Sequence, residues 1–116
     1  MYSERDEELS WSFEELVNPR HTALIAVDMQ NDYCSKDGGY CKLGFSVDAV
    51  QVMAPVLASF MSLCRDRRLL IIHARNQHSS FTDTVSWKHF GGGRSGLARR
   101  GSEGEKTFDK YKEFVP

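Results

Sequence analysis

In "TALIAVDMQNDYC" (residues 22–34) an apolar run ends on a carboxylate, and a cluster of amides follows at once. Asp28 closes the run, with Gln30, Asn31 and Asp32 directly behind it. If the run is a strand of an open parallel sheet, Asp28 stands at its carboxyl end, where such sheets bind their ligands. A carboxylate there can act as a general base. It can equally cap the turn by accepting backbone N–H groups. Gln30 and Asn31 share its position and are candidates for touching a substrate. Cys34, six residues past Asp28, is the nearest thiol in sequence. A nucleophilic cysteine wants a helix N-terminus or a cation that favours thiolate. Cys34 has only Lys36 nearby, so it is not expected to be the nucleophile. Cys41 falls in a Gly-rich loop, and Cys64 reads as core.

The other candidates lie after residue 75. His78 is a loop histidine within reach of a substrate. Trp87 and Phe90 can wall a pocket or bury a subunit interface. Arg94, with Arg99 and Arg100, can hold a substrate carboxylate through paired N–H groups. The stretch "FGGGRSG" (90–96) lacks the G-K-[ST] ending of a phosphate loop and follows no strand, so it reads as a flexible lid.

The elements that must position these groups are legible in outline. Residues 1–18 are acidic and polar, with Trp11, Phe13, Leu16 and Val17 as apolar anchors, and read as an arm packing on the domain or a partner. Pro19 separates it from "ALIAVD" (23–28), a strand covered on both faces. "CSKDGGYCKLGFS" (34–46) is a loop. A helix lies between Val47 and Arg68, with Val56, Leu57, Phe60, Met61 and Cys64 on one apolar face. Pro55 belongs near a first turn, which places the regular start between Val52 and Pro55. Arg65, Arg67 and Arg68 suit its C-terminal end. "LLIIHA" (69–74) is a second continuous apolar strand, and strand–helix–strand implies a right-handed parallel βαβ unit. From Arg75 the pattern weakens into a long, partly structured loop. "FDKYKEFVP" (108–116) can form a short helix with Phe108, Tyr111 and Val115 on one face.

Totals narrow the function. The chain has 116 residues, 41% apolar and 27% charged, with a net charge of −1. That balance argues against a nucleic-acid binder or a polybasic membrane surface. No apolar stretch approaches a membrane span, and "MYSERDEELSW" has no signal-peptide core, so the expected compartment is the cytosol. Three cysteines without paired spacing read as free thiols, and the lack of a CxxC pair argues against structural zinc.

"ALIAVDMQNDYC", followed by "GGY" and "LGFS", resembles the opening of the isochorismatase-like cysteine hydrolases, whose first strand ends in a D-x-Q-N-D/A-[FY] pattern. "DGGYCKLGFSV" is most similar to the ureidoacrylate amidohydrolase and biuret hydrolase branch, as are "IIHAR" and "RRGSEGEKTFDKYKEFVP". The resemblance implies a three-layer α/β fold around a parallel sheet, with residues 19–116 as the N-terminal part of the domain. It implies a Cys-Asp-Lys triad that cleaves amide or ureide C–N bonds through an acyl-enzyme. Asp28 matches the triad aspartate, which takes the thiol proton. The family's lysine and cysteine lie beyond the segment resembling "EFVP", so this chain is expected to be part of a longer hydrolase. Nicotinamidases of the same superfamily carry an Asp-x-His pair after the second strand and bind a divalent ion. Here Asn76-Gln77-His78 stands in that place, and a neutral amide is a poor ligand for zinc or manganese. No cofactor or metal is expected. The partners implied are a small amide or ureide substrate and further copies of the chain. The alternatives are a truncated, non-catalytic chain that pairs with another subunit, and a nicotinamidase-type metal-dependent amidase.

Overall fold

The computed structural model describes residues 11–90 and 93–115. The first ten residues of the expected arm, Gly91 and Gly92 of the expected lid, the Phe90 side chain and Pro116 lie outside the described residues.

Two parallel strands and one long helix organise the chain. Strand β1 (Ala23–Val27) pairs with β2 (Leu70–Ala74), with Ala23 opposite Leu70 and Val27 opposite Ala74. Both are rich in β-branched residues, which favour the pleated backbone. Before β1, a four-residue helix α1 (Phe13–Leu16) is set by a capping box. Ser12 accepts from the Glu15 N–H, and the Glu15 carboxylate accepts from the Ser12 N–H. The loop after β1 holds two single turns, α2 (Asn31–Cys34) and α3 (Gly39–Lys42).

The connecting helix α4 spans Asp48–Asp66 and differs from expectation in two ways. It starts at Asp48, one residue after Ser46-Val47, because the Ser46 hydroxyl accepts from the Asp48 N–H at 3.2 Å. Pro55 therefore lies inside the helix. Its ring is exposed to solvent, and Ser59 Oγ donates to the Pro55 carbonyl at 3.1 Å. Its buried face is also rotated. Ala54, Leu57, Ala58, Met61 and Cys64 turn inward, whereas Val56 and Phe60 are 66% and 50% exposed. The spacing i, i+3, i+4, i+7 and i+10 follows the helical period more closely than the expected set.

That face packs on one side of the sheet. Ala26, Ala54, Met61 and Tyr111 form the centre, flanked by Leu24, Met29, Ile71, Phe108 and Phe114. Among the described residues the other side is bare. Ile25, Val27, Leu70 and Ile72 are 57%, 55%, 62% and 40% exposed, so the strands are covered on one face and not on both.

After β2, the chain runs through α5 (Val85–Phe90) and three 3₁₀ turns, at Arg94–Gly96, Glu103–Glu105 and Asp109–Phe114. In the last of these Tyr111 is fully buried, and its hydroxyl donates to the Ala54 carbonyl at 3.1 Å. A 3₁₀ turn repeats every three residues. Phe108, Tyr111 and Phe114 consequently share the inward face, and Phe114 takes the core place expected of Val115.

Candidate functional site

Asp28 leaves the sheet in an unusual conformation. Its N–H still bonds the Ala74 carbonyl at 2.8 Å, but its φ is +57°, in the left-handed region. Asp tolerates that region better than most residues, and such positions cluster where function fixes the backbone. The turn tightens as the Asp28 carbonyl accepts from the Gln30 N–H at 2.8 Å. Asn76 stands two residues past the end of β2, as the register of the two strands dictates. Its Nδ2 lies 3.5 Å from Asp28 Oδ2 and 3.4 Å from the Tyr33 hydroxyl.

These three side chains open onto a cleft of about 440 Å³, completed by Tyr40, Ser46, Val47, Val50, Trp87, Arg94 and Leu97. One wall is aromatic, with Tyr33 edge-on to Tyr40 at 5.6 Å and Tyr40 edge-on to Phe45 at 4.8 Å. The Arg94 guanidinium sits 5.7 Å from the Phe45 ring centre. Burial pushes the Tyr33 hydroxyl above its ordinary pKa, against a lowering hydrogen bond from Asn76, with the Asp28 carboxylate adding to the rise. Tyr33 is thus a hydrogen-bond donor at neutral pH. The cleft has a carboxylate at one side, a guanidinium at another and flat walls between them. It can take a small planar polar molecule and present a base to it.

A larger, apolar groove of about 690 Å³ runs beneath α1, lined by Phe13, Val17, Leu24, Phe60, Leu63 and Leu69. It touches the amino ends of the strands, the wrong end of a parallel sheet for chemistry. Of the expected arm, Phe13, Glu14, Val17 and Asn18 line this groove, and Trp11 is edge-on to His21 at 5.1 Å.

Of the expected site residues, Asp28, Trp87 and Arg94 line the cleft, and Gln30, Asn31 and His78 are not among its walls. Gln30 is fully buried. Its amide brackets the Asn76 peptide, donating to the Asn76 carbonyl at 2.8 Å and accepting from the Asn76 N–H at 2.8 Å. It also donates to the Glu105 carbonyl at 2.7 Å. Gln30 therefore places Asn76 and has no amide group left to offer a substrate. Asn31 is a tie as well, donating from Nδ2 to the Glu103 carbonyl at 2.9 Å. Asp32 joins distant loops, one oxygen accepting from the Gly39 N–H at 2.8 Å and the other from the Ala98 N–H at 2.7 Å. His78 stands behind Trp87, stacked on it at 4.7 Å.

Asn76, Tyr33 and Tyr40 were absent from the expected set. Asn76 was detectable: it follows β2 as the Gln30 cluster follows β1, and parallel neighbours bring such positions together.

Cys34 is 1% exposed, and its thiol points to the Asp28 carbonyl at 4.0 Å. Burial raises its pKa to about 11, with the Asp28 charge adding to the rise. It stays a thiol at neutral pH. None of the described lysines or cysteines lines the cleft. Among the described residues no three His, Cys, Asp or Glu side chains converge as metal ligands. None of the described helices is long and apolar enough to cross a membrane.

No family model matches the chain. Among curated proteins it is similar to the ureidoacrylate amidohydrolase RutB of Enterobacter sp. (strain 638), with 44% identity over 59 residues. The matched stretch is 50% of this chain and 25% of the relative, so the chain spans about a quarter of that protein's length. The parallel two-stranded unit suits part of an α/β fold.

Proposed function

We propose that this chain supplies the base-bearing part of a metal-independent cysteine hydrolase that cleaves a C–N bond of a small amide or ureide. The observation that carries this reading is Asp28, held in a left-handed turn at the end of β1 with its carboxylate on the cleft and beside Asn76. In the proposed reaction a thiol attacks the substrate carbonyl while Asp28 takes its proton, and Asp28 returns that proton to the nitrogen as the C–N bond breaks and the amine or ammonia leaves. Water then attacks the acyl-enzyme while Asp28 accepts its proton, and the C–S bond breaks as that proton passes to the sulfur and the thiol is restored. Tyr33 and Asn76 hold Asp28 and the substrate polar groups in line, and Arg94 pairs with a substrate carboxylate. The attacking cysteine and its lysine would come from chain beyond this segment, as the resemblance implies. The substrate is a small molecule and the working protein a homo-oligomer. Neither nucleic acid nor a membrane takes part.

The test is turnover of ureidoacrylate by the full-length protein and by Asp28→Asn. An amide of the same shape cannot take the thiol proton, so the loss should be about 10²–10⁴-fold, the usual contribution of a positioned base. The variant should still fold. Turnover at the parental rate in Asp28→Asn sinks the assignment.

A second reading has one observation in its favour. The bare sheet face of Ile25, Val27, Leu70 and Ile72 suits a non-catalytic chain that pairs with another subunit. Failure of the full-length protein to turn over any amide, with a stable hetero-complex, would favour it.

A further inference from the structure

Trp87 and Arg94 come to the cleft from different elements, Trp87 from α5 and Arg94 from the 3₁₀ turn Arg94–Gly96. The run Gly91-Gly92-Gly93 between them carries no side chain that could fix their spacing. Arg99, which is not among the cleft residues, reaches both elements. Its guanidinium pairs with Asp83 Oδ2, and Nη1 also donates to the Ser95 carbonyl at 3.1 Å. Ser95 is the neighbour of Arg94 within its turn, which the Leu97 N–H closes on the Arg94 carbonyl at 2.9 Å. Asp83 leads into α5. Its N–H donates to the Ser79 carbonyl at 2.9 Å, and its side chain is only 3% exposed. The next residue caps the helix, with Thr84 Oγ1 accepting from the Trp87 N–H at 3.1 Å. Arg99 was expected from the sequence to share a substrate carboxylate, and is turned instead to Asp83 and Ser95. The planar guanidinium fork suits that task, because it holds two acceptors in a fixed relation.

The backbone that carries Arg99 is itself anchored to the strand ends. The His78 N–H donates to the Ala98 carbonyl at 2.9 Å, and the His78 carbonyl accepts from the Arg100 N–H at 2.8 Å. Both flanks of Arg99 are thus bonded to the residue two places after Asn76. The Ala98 N–H donates to Asp32 Oδ2 at 2.7 Å, in the turn that follows Asp28. Ala98 is fully buried with a φ of +47°, a left-handed conformation that an alanine keeps only where its surroundings impose it. One guanidinium therefore refers two outer walls of the cleft to the strand ends that bear Asp28 and Asn76.

We propose that Arg99 is a positioning residue that sets the spacing of Trp87 and Arg94, and that this spacing selects a flat substrate carrying a carboxylate at the Arg94 end. The selection rests on the hydrolase reading. The spacing does not, and it has a readout that needs no turnover.

The full-length protein is labelled with fluorotryptophan and its fluorine resonances are recorded. The Trp87 line is the one lost in Trp87→Phe. The Trp11 line, from a ring beside His21 ahead of β1, is the one lost in Trp11→Phe and reports the rest of the fold. Arg99→Gln should move the Trp87 line toward its position in urea and leave the Trp11 line in place. That variant strands the buried Asp83 charge, which by itself can unfold a protein. Asp83→Asn together with Arg99→Met removes both charges and should give the same movement in a folded protein. In turnover, each variant should raise KM for ureidoacrylate about tenfold to a hundredfold, the range of a hydrogen bond to a charged group, with kcat far less affected. The primary amide of ureidoacrylate offers Arg94 no charge, so its KM should change much less. Arg94→Gln should then add little in either variant, since a guanidinium already out of place has little left to lose. A Trp87 line unmoved in the folded double variant overturns the proposal. Equal losses on the two substrates, or costs of Arg94→Gln and Arg99→Gln that simply multiply, overturn it as well. A parent that turns over neither substrate counts against the hydrolase reading, and the fluorine lines alone then decide the spacing.

Discussion

At the scale of single residues, packing and hydrogen-bond partners divide groups that look alike in sequence. Asp28, Gln30, Asn31 and Asp32 form one polar cluster, yet Asp28 is the one of the four that lines the cleft, and the other three tie loops together. Position after a strand marked the cluster. It does not mark which member lines the cleft, because a tight turn sends successive side chains in different directions. The same logic settles Cys34. Its thiol is shut in and raised to about 11, so Cys34→Ala should leave turnover of the full-length protein within about twofold, as for a residue outside the reacting machinery. It should also change the alkaline stability. The folded thiol ionises above its unfolded value of 9.0, so folding is favoured fully below pH 9 and progressively less as pH rises toward about 11. Tyr111, raised to about 12 by burial, adds a loss of the same sign at higher pH. Thermal melts across this range should show the wild type falling from pH 9, and Cys34→Ala lacking that first part of the decline. Coincident curves would show that Cys34 ionises as easily folded as unfolded. Gln30→Ala is the opposite case. It leaves the part-buried N–H and carbonyl of Asn76 without their Gln30 partners, and should cost roughly 1–3 kcal/mol in chemical unfolding.

At the scale of elements, type and order were readable and ends were not. Both strands and the helix between them follow from apolar runs and a 3.6-residue period, and each appears within a few residues of its expected bounds. Helix α4 begins at Asp48, ahead of the turn that Pro55 marks in the sequence. A proline forfeits one helical bond and strains one turn, a cost that neighbouring packing can absorb. The far end of α4 shows what sequence could not. Arg67 caps it, Arg68 adopts a φ of +61°, and the Leu69 N–H reaches back to the Cys64 carbonyl at 2.9 Å while Arg68 N–H bonds the Arg65 carbonyl at 3.0 Å. That is the hydrogen-bond pattern of a Schellman end, with arginine where glycine is preferred. Arg68→Gly should relieve the left-handed strain and raise stability by up to about 1 kcal/mol. Gly104→Ala should do the reverse, because a methyl group there would fall 2.0 Å from Asp32 Oδ2. Paired urea titrations would measure both. A destabilised Arg68→Gly would mean that its side chain contributes more than its backbone costs.

At the scale of the whole molecule, the sheet decides behaviour. Continuous apolar runs such as "ALIAV" and "LLIIHA" are the mark of strands buried on both faces, since a half-buried strand would alternate with polar residues. The structure gives them cover on one face, from α4 and the turn at Asp109–Phe114. On the other, Ile25, Val27, Leu70 and Ile72 form an apolar surface with nothing polar interleaved. The sequence pattern and the bare face therefore agree with each other: these strands are composed for a second layer. The outer edges of a two-stranded sheet add unpaired backbone groups to the same region. Leaving four branched apolar side chains in water forgoes roughly 1.5–3 kcal/mol for each one that could be fully buried. The 116-residue segment on its own should consequently self-associate rather than persist as a monomer, and should show no turnover, having no cysteine or lysine on its cleft among the described residues. Light scattering behind a sizing column measures the first point and a ureidoacrylate assay the second. Placing charge on the bare face, with Ile25→Lys and Ile72→Glu together, should shift the mass toward 13.2 kDa while sparing the Asp28 cleft at the strand ends. A parent segment that elutes as a stable monomer would show that the apolar face tolerates water. Measurable turnover by that monomer would place a working nucleophile within these residues.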